Sequence, residues 1–303
     1  MNARKPYRDY FLYWGDLHRS STASGGVTSM EEHFRVLRHE LKLDFMALAD
    51  NACLATDPTQ GRFFFQGIKG KTGGTEGATL HNLHQIMAVH RISAEDWATL
   101  QRLVREYYEE GTFVPFLGYE WCSNLFGDHN VYFASGEGEM ILPDTVAELY
   151  QALQDKPVLL IPHHTGYARG RRGKNWNFHH PRLERLAEIH SLHGCSEKWT
   201  DNPLPLWNLG MGTNVSGNNV QDALLRGYKL GFLSGSDCHG APGQHILAGI
   251  FSPRLSRPDL FESLWERRTI ATSGTERIPI YFSADGHLLG SVFSHLDFLL
   301  TEE

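Results

Sequence analysis

Two short stretches at opposite ends of the chain each place an acid and a histidine two residues apart: Asp16 with His18 in Trp14-Gly15-Asp16-Leu17-His18, and Asp237 with His239 in Ser236-Asp237-Cys238-His239. A β-strand repeats its side-chain direction every second residue, so both members of each pair can point the same way. Imidazole and carboxylate aimed together suit a divalent metal ion. Further acids and histidines stand where apolar runs end, at Asp50, Glu120, His163, His164 and His190, in a chain that carries 17 histidines. In a closed α/β barrel the groups that do chemistry gather at the C-terminal ends of the strands, and these residues fall at such ends. A lone histidine on an apolar strand is more often a hydrogen-bonded core residue, so the argument rests on several coinciding.

The elements that must position them are legible as apolar, β-rich runs at residues 10–15, 45–49, 113–119, 131–134, 157–161, 186–189, 230–234 and 246–251. Between them lie helical patterns. Residues 29–41 open on Ser29 and Glu32 as a capping box, and residues 94–110 form an amphipathic stretch ended by Gly111. Further helices are predicted at 145–153, 220–226 and 258–267, with Asn219 among the asparagines available to cap the second of these. This alternation predicts an α/β fold with a parallel sheet wrapped by helices. The glycine-rich stretch 61–77 reads as a long loop, and the tail 278–298, alternating about Asp285-Gly286, as a hairpin. The expected organisation is a barrel over residues 1–277 with a small C-terminal β appendage over 278–303.

Composition narrows the function classes. A chain of 303 residues with 41% hydrophobic and 21% charged residues can bury a large core as one domain. Its net charge of -7 argues against general nucleic-acid binding, which needs a basic face. The four cysteines, Cys53, Cys122, Cys195 and Cys238, form no C-x-x-C, so neither a zinc ribbon nor a dithiol motif is supported and a reducing compartment is expected. The first ten residues are polar and no apolar run is long enough to span a bilayer, which predicts a cytoplasmic protein without membrane contact.

Six segments then occur in a telling order: Gly15-Asp16-Leu17-His18, Leu48-Ala49-Asp50, Gly118-Tyr119-Glu120-Trp121, Ile161-Pro162-His163-His164-Thr165-Gly166, Glu188-Ile189-His190-Ser191-Leu192-His193-Gly194 and Gly235-Ser236-Asp237-Cys238-His239. In this the chain resembles the PHP (polymerase and histidinol phosphatase) superfamily, and within it the DUF3604 branch. The resemblance implies a distorted seven-stranded (β/α) barrel holding two or three ions of zinc, manganese or iron that hydrolyse phosphate esters. It implies as metal ligands His18, Glu120 as a bridging carboxylate, His163, Asp237 and His239, with His129 of Gly127-Asp128-His129-Asn130 matching a further histidine. Two positions depart from the pattern: Ser20 and Asn51 stand where the family has histidines. Both are poorer ligands than imidazole. The expectation is therefore two ions or a weakened site, with Asp16 or Asp50 available to compensate.

Such a centre would activate water for hydrolysis at neutral pH. Asp50, His164 and His193 are the candidates to orient that water or protonate a leaving group. The loop that follows His163-His164 carries Arg169, Arg171, Arg172 and Lys174 among glycines. It reads either as a clamp for a phosphate, sulfate or carboxylate, or as a solvated surface loop. Cys238, between Asp237 and His239, is expected to face away from the metal, and His81, His84 and His90 to be exposed. The leading expectation is a phosphoesterase acting on a small anionic molecule. Hydrolysis of amides, lactones or sulfate esters on the same barrel, and a non-catalytic protein with a degenerate site, are the alternatives.

Overall fold

The computed structural model describes residues 9–52, 92–208, 211–243, 246–278, 283–284 and 287–290; the glycine-rich stretch 61–77, His81, His84, His90, Cys53 and residues 291–303 lie outside them. In chain order the strands are β1 (Phe11–Asp16), β2 (Phe45–Leu48), β3 (Val114–Trp121), β4 (His129–Phe133), β5 (Val158–Pro162), β6 (Leu186–Ser191), β7 (Gly194–Cys195), β8 (Gly231–Ser234), β9 (Ala248–Ser252) and β10 (Thr269–Ala271). Seven of them form one sheet in the order β10-β9-β1-β2-β3-β4-β5, and a second sheet runs β7-β6-β8. The first sheet's β5 edge meets the segment that leads into β6, where the Leu160 N–H donates to the Leu183 carbonyl at 3.0 Å. The chain beyond β8 returns to the end of β1, the Ser20 N–H donating to the Cys238 carbonyl at 3.0 Å. The result is a mixed α/β fold whose sheet curls into a half-barrel.

Period-two alternation sorts side chains to the two faces of this curl. Phe45 and Ala47 of β2, Phe116 of β3 and Leu159 and Ile161 of β5 share one buried cluster with Leu233 of β8 and Ile250 of β9. Their neighbours Met46, Leu48, Leu117, Val158 and Leu160 face the other way, into a cluster shared with the helices. Helix α1 (Met30–Arg35) brings Phe34 to it, α2 (Ala94–Glu106) brings Trp97, Leu100 and Leu103, and α3 (Val146–Leu153) brings Leu149 and Leu153. Capping boxes at Ser93 and Thr145 start the latter two. Helices α4 (Val220–Leu225) and α5 (Arg257–Trp265) start at Asn219 and Ser256.

The sheet is less parallel than the alternation of elements predicts. Only β1-β2-β3 and β6-β8 are parallel pairs, while β4 runs antiparallel to β3 and β5, and β9 to β1. The cause is connection length: residues 122–128 between β3 and β4 contain no crossover helix, and without one a strand can only return antiparallel. Helix α1 also departs from expectation. Ser29 accepts from the Glu32 N–H, but the Glu32 carboxylate is drawn to Arg35, so half the capping box forms; beyond Arg35 the helix continues as a π turn over Val36–Glu40. Helix α2 stops at Glu106 because residues 109–113 fold into a turn, closed by reciprocal backbone bonds between Glu109 and Phe113. Strands β11 (Ser283–Ala284) and β12 (His287–Leu288) pair antiparallel either side of residues 285–286.

Among the described residues no helix is long and apolar enough to cross a membrane. Cys195 and Cys238 are free thiols and Cys122 is disulfide-bonded.

Candidate metal centre

The half-barrel gathers its polar side chains at one rim. His18 lies just past β1, Glu120 near the end of β3, His163 just past β5, Glu188 in β6 and Asp237 just past β8. The two segments farthest apart in sequence are stitched together by Asp16. One carboxylate oxygen accepts from the His18 and Ser236 N–H groups, both at 3.0 Å, and the other from Arg19 Nε at 2.7 Å. The Asp237 N–H then donates to the His18 carbonyl at 2.8 Å. Asp16, expected as a compensating ligand, is thereby engaged at both oxygens, one by two backbone N–H groups and the other by the Arg19 guanidinium. The Asp16–His18 pair does not present both side chains to one ion, because β1 ends at Asp16 and the strand period stops there.

Three side chains face one another: His18, His163 and Asp237 offer atoms that all lie within 4.8 Å of one another. His18 Nε2 is 3.5 Å from Asp237 Oδ1 and 3.8 Å from Glu120 Oε2, and His163 lies 3.2 Å from Glu120 Oε1 and 3.8 Å from Asp237 Oδ2. His18 Nε2 and both His163 nitrogens are buried and make no hydrogen bond among the described residues. Buried polar atoms are nearly always satisfied. Orphan nitrogens converging on two carboxylates are a donor set that a divalent cation fits. A second group shares His163 and Glu120 and adds Asp128 and His164.

Glu188 sets the direction of His18. Its carboxylate lies 3.0 and 3.2 Å from His18 Nδ1, which fixes the tautomer and leaves Nε2 for the centre. Space for it comes from Gly235, where a Cβ would fall 2.5 Å from Glu188 Oε2 and 2.5 Å from His18 Cβ. Glu188 was not among the residues predicted to act, although Glu188-Ile189-His190 was among the segments carrying the resemblance. Its signal is burial of a carboxylate in a strand next to an apolar core. Replacing Glu188 with Gln is expected to weaken metal binding by about 10- to 100-fold without unfolding the chain. Competition against a chelating dye measures this, and unchanged affinity would mean that His18 does not bind through Nε2.

The remaining predicted residues are distributed as follows. Asp50 accepts from the Ser21 N–H at 2.6 Å and from the Ser21 and Ser24 hydroxyls, so it holds the turn after β1 instead of facing the centre. His164 Nε2 is 3.3 Å from Asp128 Oδ2. His193 Nε2 is 3.2 Å from Asp237 Oδ2 and its Nδ1 is 2.9 Å from the Tyr167 hydroxyl. His239, the most exposed at 44%, reaches to 3.8 Å of Asp237 Oδ1. His190 lines a separate, largely apolar cavity of about 520 Å³ with Cys195, Phe232 and Ile270.

His129 is not brought to the centre, and strand register is the reason. It pairs with Trp121 on the helix-facing side, while Glu120 and its partner Asn130 occupy the adjacent register position and so the opposite side of the sheet. Its ring nitrogens meet the Gly127 carbonyl, Glu184 and Lys174, all at 2.9 Å. The basic loop is likewise divided. Arg169 and Arg171 are exposed, Arg172 turns inward to Glu120 and Asp128, and Lys174 is fully buried against Glu184. Ser20 and Asn51, at the two departing positions, differ: the Ser20 hydroxyl has no partner among the described residues, whereas the Asn51 amide, nitrogen towards the carboxylate, donates to Glu120 at 2.8 and 3.2 Å.

Electrostatics follow from burial against charge. Burial lowers the His18 pKa, but Glu188, Asp237 and Glu120 outweigh it and hold it well above 6.5. Burial, with His164 and His18 beside it, drives His163 well below 6.5. Burial raises Glu120, yet His18 and Arg172 bring it down to about 2. The metal-free chain thus carries a proton on His18 at neutral pH, and that proton must leave when a cation binds. The raised His18 pKa stabilises the metal-free fold below about 6.5 and is lost as pH rises through the folded value; the depressed Glu120 pKa stabilises it above about 4.5 and is lost as pH falls towards 2. Metal should therefore raise the melting temperature more at pH 8 than at pH 6, with proton release measurable by calorimetry in buffers of different ionisation enthalpy. A metal-induced shift independent of pH would contradict His18 as a ligand.

Fold and centre together define a class: an α/β half-barrel with a buried His, Glu and Asp cluster able to hold a metal. The chain superposes on a two-domain protein from Bacteroides vulgatus containing a predicted PHP-like metal-dependent phosphoesterase, with a TM-score of 0.54 and 13% identity over 89% of this chain and 67% of that one. At that identity the likeness is one of fold. Among curated proteins, an uncharacterised protein of Chlamydia trachomatis is 27% identical over 223 residues and one of Chlamydia muridarum 25% identical, each match covering 67% of this chain. The chain spans 35% of the length of those relatives. No protein-family model matches it.

Proposed function

We propose that this chain is a metal-dependent hydrolase of the PHP type, DUF3604 branch, acting as a phosphoesterase on a small anionic molecule. The observation that carries the reading is the set of buried, unpartnered nitrogens of His18 and His163 turned towards Glu120 and Asp237. The same reading takes residues 1–277 as the hydrolase unit and 278–303 as an appendage. His18, His163, Asp237 and Glu120 would hold the cation, with His239 at the open side; zinc, manganese and iron all accept this mixture of imidazole and carboxylate. When bound, the cation supplies positive charge that polarises a phosphoryl oxygen and acidifies water.

The chain's own groups do the rest. Burial brings the His193 pKa down to about 4 against the pull of Asp237, so the ring is uncharged at neutral pH and suited to accept or orient a proton rather than deliver one. Its Nδ1 contact with the Tyr167 hydroxyl fixes the ring at the mouth of the centre. Arg169 and Arg171 remain exposed on the adjoining loop to draw an anion. His164, Arg172 and Asp237 hold left-handed backbone angles of 33°, 65° and 51°, strain of the kind that clusters where side-chain aim matters.

The test is a panel of phosphomonoesters, phosphodiesters, sulfate esters and amides assayed with manganese or zinc, alongside elemental analysis of the purified chain. Metal content and phosphate release are expected together. Amide turnover without phosphate release would overturn the substrate class, and a chain that takes up no metal on reconstitution would overturn the hydrolase.

A further inference from the structure

The group formed by Glu120, Asp128, His163 and His164 has the donors for a second ion, yet a cation is already there. The Arg172 guanidinium donates from Nη2 to Glu120 Oε1 at 2.8 Å, and its Nε lies 2.5 Å from Asp128 Oδ2. We propose that Arg172 takes the place of a second metal, so that the chain binds one divalent ion per molecule, at His18, His163, Asp237 and the Glu120 oxygen that Arg172 leaves free. This deepens the hydrolase reading and rests on it.

Three features make Arg172 a fixed part of the centre. Its side chain is only 26% exposed, and it contacts both carboxylates of the group, so the negative charge that would attract a second ion is neutralised from inside. The loop is pinned on both sides of it: the Gly170 and Arg172 N–H groups both donate to the Asn124 carbonyl, and Lys174, two residues on, is buried against Glu184 at 2.6 Å. Gly173 is packed so closely that a Cβ would fall 1.7 Å from the Tyr167 carbonyl oxygen. Withdrawing the guanidinium would mean pulling this segment and Lys174 out of the core. The left-handed φ of 65° at Arg172, uncommon for a residue with a side chain, is sustained by those contacts. An ion placed between Glu120 and Asp128 would face a like charge at contact distance in a dry environment. The fork of the guanidinium keeps N–H groups for the oxygens of a bound phosphoryl group, the role a second cation plays in two-ion centres.

The experiment counts ions. The full chain is stripped, saturated with manganese or zinc, passed through a desalting column and analysed for metal per molecule, beside Arg172→Gln and Arg172→Lys. One ion is expected for the unaltered chain and for Arg172→Lys, which keeps the charge, and two for Arg172→Gln, which frees both carboxylates. Two ions in the unaltered chain would overturn the inference while leaving the hydrolase reading intact, as would one ion in a folded Arg172→Gln chain. No ion in any of the three would overturn the metal reading and this inference with it. Should Arg172→Gln fail to fold, the count for the unaltered chain and for Arg172→Lys still decides.

Discussion

Replacing Asp237 with Asn is expected to strip the centre of its metal and abolish turnover while leaving the fold in place. The carboxylate lies within 3.8 Å of His18, His163, His193 and His239, so four imidazoles lose one shared negative partner. Burial pushes its pKa up, but His18, His193 and His163 outweigh that and hold it well below the ordinary carboxylate range, so it is ionised at every working pH. Asparagine is a fair isostere here for a further reason. Asp237 has a φ of 51°, and Asn is among the few side-chain-bearing residues that occupy the left-handed region readily. The bonds that the Asp237 N–H and the Ser236 hydroxyl donate to the His18 carbonyl should persist, since neither uses the carboxylate. Loss of an outer hydrogen-bonding partner costs metal sites about 10- to 100-fold in affinity. Loss of a ligand should exceed that, and the chain should emerge from desalting without metal. Circular dichroism and metal analysis on one sample separate the effects; an Asp237→Asn chain that keeps its full metal content would show that the cation sits elsewhere.

What could be read in the sequence was the part of this centre fixed by strand ends. His18, Glu120, His163 and Asp237 each close an apolar run, and wherever such runs lie side by side their ends must share a rim. What could not be read depends on pairing direction and register. His129 and Asp128 are adjacent, and only the antiparallel return of β4 beside β3, with Trp121 opposite His129, sends the histidine outward while Asp128 joins the second group. The loop 169–174 looks from its composition like a uniform basic patch. Its four cations fall into three environments, exposed for Arg169 and Arg171, half-buried for Arg172 and fully buried for Lys174, because the chain passes from surface to core within a few residues. Asp50 closes an apolar run as the others do, but a buried carboxylate needs donors, and Ser21 and Ser24 supply them three and six residues after His18.

The largest effect on stability should come from a residue that touches no substrate. Lys174 and Glu184 are both fully buried, joined by a 2.6 Å hydrogen bond from Nζ to Oε1. His129, His179 and the Tyr150 hydroxyl complete the carboxylate's shell, and Lys174 also lies over the Trp176 ring. Burial opposes charge on both partners. The Lys174 pKa is accordingly depressed, while Glu184, with a lysine and two imidazoles around it, is held well below the ordinary carboxylate range. Lys174→Met keeps the length and apolar stem but leaves Glu184 ionised and short of its one fixed cation. Breaking a buried pair in this way costs roughly 3 to 5 kcal/mol, enough to unfold many domains. The double variant Lys174→Met with Glu184→Gln removes both charges and should recover most of that loss, because a buried pair replaced as a unit is often close to neutral. Urea midpoints of the two single variants and the double variant measure the coupling. Additive losses would show that the two groups act independently, and that the loop carrying Arg172 is anchored by something other than this pair.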